Sequence, residues 1–207
     1  MKVSSFHRPV TTAPVRDSSL HRNDDIFLVA ALLALVLAPC SATAAEHPDY
    51  ISLGIGSYNF DKHRDNRRSI DYRGEYEWGV SLLPHLADSF NSVEPFLQVH
   101  PLIGIEGNTL GAFYGHGGLN LDVPFYRHGI FTWGETVGAF SQGHDIMPLG
   151  AILEFRSQVE VGWQFDNDLR VTGYLSHISN AHILDRNPGA EIAGFYVHVP
   201  ASLLGEK

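Results

Sequence analysis

Apolar and polar residues take turns along much of this chain, and the clearest stretch is Ala151–Phe165. There Leu153, Phe155, Val159, Val161, Trp163 and Phe165 oppose Glu154, Arg156, Gln158, Glu160 and Gln164. Successive side chains of a β-strand point to opposite faces, so a period of two with one apolar side predicts a strand with two unlike environments. Ser69–Trp78 repeats it, with Ile70, Tyr72, Tyr76 and Trp78 against Asp71, Arg73, Glu75 and Glu77. Val93–Ile105 sets Val93, Leu97, Val99, Ile103 and Ile105 against Glu94, Gln98 and His100. Ile51–Phe60 alternates weakly, and Leu110–Val123 and Ile130–Phe140 are aromatic and rich in glycine. Two more strands run from Leu169 to Asn180 and from Glu191 to Val199. The strands number about eight, each close to the ~9–11 residues with which a tilted strand crosses a bilayer.

An even number of antiparallel strands can close on itself and leave no edge. The predicted fold is therefore all-β: an eight-stranded antiparallel transmembrane β-barrel with apolar side chains outside and polar ones in the lumen. A lumen of eight strands is filled by side chains and is not a pore. Glu154, Arg156 and Glu160 are expected there as a charge network of structural value. Tyr72, Tyr76, Trp78, Trp133 and Trp163 suit an interfacial girdle. Gly115-His116-Gly117-Gly118 lacks the helix and Lys-Ser/Thr of a phosphate loop and is expected to ease curvature. The connections Asp61–Arg68, Gly143–Pro148 and His182–Gly189 fall at one end of such a barrel. Leu82–Ser92, Pro124–Gly129 and Asp166–Asp168 fall at the other.

The first 45 residues read differently. Ile26–Ala38 is an apolar run too short to span a bilayer, and the small residues Ser41-Ala42-Thr43-Ala44-Ala45 follow it as a signal-peptidase site requires. Residues 1–45 are expected to be a signal peptide with an extended n-region, and residues 46–207 a single barrel domain. Three of the 23 acidic and four of the 14 basic residues fall in that leader, which leaves the remainder at a formal charge of −10. So acidic a chain has few cations for phosphate contacts, which excludes nucleic acid as a partner. The one cysteine, Cys40, also lies in the leader, so disulfides play no part in the barrel.

Candidate chemistry is concentrated in Ser176-His177-Ile178-Ser179-Asn180-Ala181 and in Glu191. His177 and Ser179 are two apart on one strand, so their side chains share a face with Cα atoms roughly 6.5–7 Å apart. The turn formers Asp185-Arg186-Asn187-Pro188-Gly189 then reverse the chain, and a hairpin returns Glu191 to the neighbourhood of His177. A nucleophile, a base and an orienting carboxylate within mutual reach are the parts of a hydrolytic triad, recognised by geometry and not by chain order. All three lie on the apolar face of their strands with Leu175, Phe195 and Val197. On a membrane barrel that face is the outside, where a catalytic site meets lipid directly. The remaining histidines His100, His116, His128, His144, His182 and His198 have no ligand spacing on a common face.

Three stretches resemble one family. Glu154-Phe155-Arg156-Ser157-Gln158, Ser176-His177-Ile178-Ser179-Asn180-Ala181 and Asn187-Pro188-Gly189-Ala190-Glu191 are similar to the PagL-type lipid A 3-O-deacylases, or acyloxyacyl hydrolases, of Gram-negative outer membranes. A looser likeness extends over the rest of residues 46–207, including Tyr50–Gly56. The resemblance implies an outer-membrane barrel that hydrolyses the ester-linked 3-hydroxyacyl chain of lipid A. Carried over by position, it makes Ser179 the nucleophile, His177 the base, Glu191 the orienting acid and Asn180 a contributor to the oxyanion hole. It implies lipid A or lipopolysaccharide as the substrate partner and no metal or cofactor. A homodimer stays open as an assembly. This chain departs from the family where it continues past Val199-Pro200 into Ala201–Lys207 without closing on an aromatic residue, and where His182 follows Ala181. Two other functions compete with the esterase: a non-enzymatic structural, adhesive or silent barrel, and a periplasmic carrier with its apolar faces turned inward.

Overall fold

In the computed structural model the described residues are 47–60, 68–82, 97–144 and 149–205. Eight antiparallel strands form a closed barrel in which each pairs with its neighbours in sequence and the last pairs with the first. They are β1 (Tyr50–Tyr58), β2 (Ser69–Glu77), β3 (Gln98–Asn108), β4 (Phe113–Phe125), β5 (Gly129–Ser141), β6 (Leu153–Gln164), β7 (Arg170–Ser179) and β8 (Ala190–Pro200), followed by the 3-10 turn Ala201–Leu203. β3 begins later than the Val93 its alternation suggests. Residues 93–96 lie outside the described residues, as does the signal segment at 1–45.

The alternation sorts the side chains as the period of two requires. On β6, Leu153, Val159, Val161 and Trp163 are exposed on the outer wall, whereas Glu154, Arg156, Gln158 and Glu160 are buried within. Leu53, Ile55, Ile103, Ile105, Leu175 and Phe195 continue the apolar exterior around the barrel. An apolar outside around a polar inside is the reverse of a soluble barrel and is consistent with an outer-membrane location. It also removes the reading as a carrier with apolar faces turned inward. Tyr72, Trp78 and Trp163 stand exposed on the wall. Trp133 does too, with its indole N–H donating to Glu135 Oε1 at 2.7 Å.

The lumen is a polar core dense in ion pairs and hydrogen bonds, although some buried atoms, among them Glu154 Oε2 and Arg156 Nε, have no hydrogen-bond partner. Arg73 donates from Nε to Asp71 Oδ2 at 2.6 Å, from one terminal nitrogen to Gln158 Oε1 at 2.5 Å, and from the other to Ser176 Oγ at 2.9 Å. Arg156 reaches Glu75 Oε1 at 2.7 Å and Glu106 Oε2 at 3.4 Å. Burial in so small a lumen removes water from these groups, and the charge is tolerated because cation and anion are paired and hydrogen-bonded. Glu154 and Glu160 are buried there as expected, but Arg156 draws its partners from β2 and β3 across the lumen instead of from its own strand. Glu160 Oε2 instead accepts from Thr172 Oγ1 at 2.6 Å. Gly104 leaves space that His116 occupies, where a Cβ would lie 2.7 Å from its ring. Gly104 therefore serves lumenal packing.

The connections β1–β2, β3–β4, β5–β6 and β7–β8 share one end of the barrel. Both chain ends of the described barrel share the other with β2–β3, β4–β5 and β6–β7. Ser176, pointing inward, ties β7 to the Arg73 hub, and Tyr174 adds a hydrogen bond to Asp71 Oδ2 at 3.1 Å. The inner face of β7 is thus fixed, and its outer face, carrying His177 and Ser179, is presented from a rigid wall.

Candidate active site

β7 and β8 bring the sequence-predicted residues together on the outside. In their ladder His177 lies directly opposite Glu191. Nδ1 of His177 donates to Glu191 Oε2 at 2.6 Å, because the carboxylate can only accept. That bond selects the tautomer whose Nε2 is unprotonated and free to take a proton. Ser179 shares the outward face two residues on, beside the loop, and is half-buried. No hydrogen bond joins Ser179 Oγ to His177 in this structure. Such contacts commonly tighten only when substrate arrives.

Asn180 directly follows β7 and is fully buried. Its side-chain nitrogen donates to Leu149 O at 3.2 Å and Arg186 O at 2.8 Å, and its backbone N–H donates to Asn187 Oδ1 at 3.1 Å. Asn180 therefore spends its own donors on the β5–β6 and β7–β8 connections. Beyond it, Ala181 and His182 both adopt positive φ, at 51° and 61°. Two adjacent non-glycine residues in the left-handed region are costly unless their surroundings hold them. The Asn180 ties and the Ile183 N–H to Asn180 O bond at 3.0 Å do so. Gly150 completes the arrangement. Its φ is 111°, and a Cβ there would lie 2.1 Å from Arg186 O and 2.9 Å from Asn180 Nδ2. This packing of one loop on another depends on contacts over 31 residues and has no signal in local sequence.

One row toward the other end from His177, the wall is apolar. Val159, Val161, Gly173, Leu175, Ala193, Gly194 and Phe195 line a shallow groove of about 380 Å³, which the outward-facing Gly173 helps leave open. The outward row of His177 itself is polar over four strands, adding Ser157 and Glu135, which the sequence pattern does not single out.

Residues 107–200 match the model of the PagL family, described as lipid A 3-O-deacylase. Over that stretch the chain is similar to the PagL family. The matched stretch contains β4 to β8 and so all four predicted site residues. The fold agrees: the crystal structure of the outer membrane enzyme PagL superposes with a TM-score of 0.54 at 18% identity, covering 73% of this chain and 99% of that one. A de novo designed transmembrane β-barrel aligns at 10% identity with a TM-score of 0.44, covering 73% of this chain and 95% of the design. Among curated protein sequences no match is found.

Proposed function

We propose that this PagL-like barrel is an outer-membrane serine esterase that removes the 3-O-linked acyl chain of lipid A. The observation that carries the reading is the His177–Glu191 pair, closed at 2.6 Å on the lipid-side wall with Ser179 on the same face. A hydrogen-bonded imidazole–carboxylate pair among Leu175, Phe195 and Val197 has no packing value that an apolar pair would lack, so its presence argues for chemistry.

In this reading Ser179 Oγ attacks the ester carbonyl carbon while His177 Nε2 takes the hydroxyl proton. Glu191 holds the ring in that tautomer and stabilises the imidazolium. The oxyanion is received by backbone N–H groups of the Ala181–His182 turn, which Asn180 positions. Such a donor is typically worth about 2.7–4 kcal/mol. Collapse breaks the acyl C–O bond, and the sugar oxygen leaves with the proton from His177. A water then gives its proton to His177, attacks the acyl-enzyme and releases the fatty acid with Ser179 restored. The groove beside Leu175, Gly173 and Phe195, one row below His177, suits the alkyl chain, whose burial against Leu175 and Phe195 supplies binding. The site lies at the loop-bearing end, which faces outward if both termini are periplasmic, so the outer leaflet is the level of attack.

The deciding experiment is mass spectrometry of lipid A from Gram-negative cells expressing the wild-type chain, Ser179→Ala, or neither. Loss of one ester-linked acyl chain with wild type only is expected. Equal deacylation by Ser179→Ala removes the serine as nucleophile, and no deacylation by wild type, including in detergent with excess lipid A, leaves a silent barrel.

A further inference from the structure

Four outward side chains on four adjacent strands occupy one ladder row. Glu135 of β5 pairs with Ser157 of β6, Ser157 with His177 of β7, and His177 with Glu191 of β8. The proposed triad uses the last two. The first two are bound to each other, since Ser157 Oγ donates to Glu135 Oε2 at 2.8 Å, and Trp133 Nε1 donates to Glu135 Oε1 at 2.7 Å. Apart from Ser179, the outward neighbours on either side of Glu135, Ser157 and His177 include Val137 and Phe155 toward the loops and Val159 and Leu175 away from them.

The row also descends the wall. Counted from the loop-bearing end, His177 is the third residue of β7, Ser157 the fifth of β6 and Glu135 the seventh of β5. With neighbouring strands about 4.8 Å apart and a tilt of about 40°, each step across the ladder moves the row roughly 3 Å deeper. Glu135 therefore places a carboxylate well into the apolar band, where charged groups on the outer face are unfavourable. Two hydrogen bonds offset part of that cost without explaining why the group is there.

The pair has one chemical character. Ser157 spends its only proton on Glu135, so its remaining lone pairs accept. The carboxylate has about four acceptor positions, of which Ser157 and Trp133 take two. Any further partner must be a hydrogen-bond donor. Below the level of the scissile ester, the donor a lipid substrate can offer is a hydroxyl on the acyl chain; sugar hydroxyls and amides lie at or above the ester. We propose that Glu135 and Ser157 form a polar subsite on the outer wall that accepts a hydrogen bond from a chain hydroxyl close to the scissile carbonyl, and so select hydroxylated over plain acyl esters. This inference rests on the esterase reading and deepens it: these are positioning residues that set which chain presents its carbonyl to Ser179.

The test uses the full chain folded in detergent micelles and two synthetic acylated glucosamine lipids that differ only by a hydroxyl at carbon 3 of the ester-linked chain. Wild type is expected to show a kcat/KM about tenfold or more higher for the hydroxylated ester, as befits a hydrogen bond to a charged group. Ser157→Ala and Glu135→Gln should bring that ratio toward one, and Ser157→Thr, which keeps the hydroxyl, should restore it. A merely structural role would lower both rates together and leave the ratio in place. If Glu135→Gln does not fold, Ser157→Ala carries the test, since it deletes a single oxygen. Equal wild-type rates on the two esters, or an unchanged ratio in Ser157→Ala, overturn the subsite and leave the esterase standing. Failure of wild type on both esters overturns the esterase reading and the subsite with it.

Discussion

His177 stands between two oxygens of different kinds: a carboxylate across the ladder and a hydroxyl two residues along its own strand. Removing each has a distinct expected cost. Ser179→Ala and His177→Ala should each lower kcat by roughly three or more orders of magnitude, and the double variant should be little worse, because members of one catalytic unit are non-additive. Glu191→Ala should be about one to two orders milder, since the acid orients the base and is not consumed. Steady-state release of fatty acid in micelles measures all four. Inside the wall, Arg156 illustrates a different dependence. Arg156→Met would leave Glu75 and Glu106 buried without that cation. A loss of about 3–5 kcal/mol is expected, as for breaking any buried ion pair, read from the urea midpoint of the folded barrel. The sequence places Arg156 in the lumen through its phase on the strand. Its partners could not be read there, because Glu75 and Glu106 lie 81 and 50 residues away and meet it only when the barrel closes.

Strands and connections differ in how far they can be read. Alternation marks β2, β3, β6, β7 and β8 clearly and β1 only weakly, while β4 and β5 show as aromatic, glycine-rich runs. Where it is clear it sets the face of His177, Ser179 and Glu191, because a slip of one residue would invert the wall. The return of Glu191 to His177 is legible because turn formers between Ser179 and Ala190 mark an antiparallel hairpin. The Glu135–Ser157 row is not, since it needs the registers of three ladders at once. Nor is the support beneath the site, where Asn180 joins two loops and Gly150 admits the second to the first. Gly150→Ala is expected to be strained by φ and by the clash with Arg186 O, and Asn180→Ala to release both carbonyl ties. Each should lower kcat about ten- to a hundredfold, the cost of misplacing catalytic groups by an ångström or so. Both should remain heat-modifiable on gels, because the strand ladders are untouched.

For the whole molecule, the apolar exterior predicts recovery in the outer-membrane fraction as a heat-modifiable band. Cys40 is the only cysteine and lies within the expected leader, so single cysteines can report each face. Leu175→Cys should react with a lipid-soluble maleimide in vesicles, and Ser176→Cys should resist it. Reversed reactivity would place His177 and Ser179 in the lumen, away from lipid. The outward placement also changes the meaning of concentration for this molecule. If Ser179 is the nucleophile, as proposed, it never samples bulk water for its substrate; it meets whatever diffuses past in the plane of the leaflet. Turnover should then follow the mole fraction of substrate in the micelle or bilayer and be insensitive to how much aqueous volume surrounds it. Diluting mixed micelles with buffer should leave the initial rate per protein unchanged, whereas adding inert detergent should lower it by surface dilution.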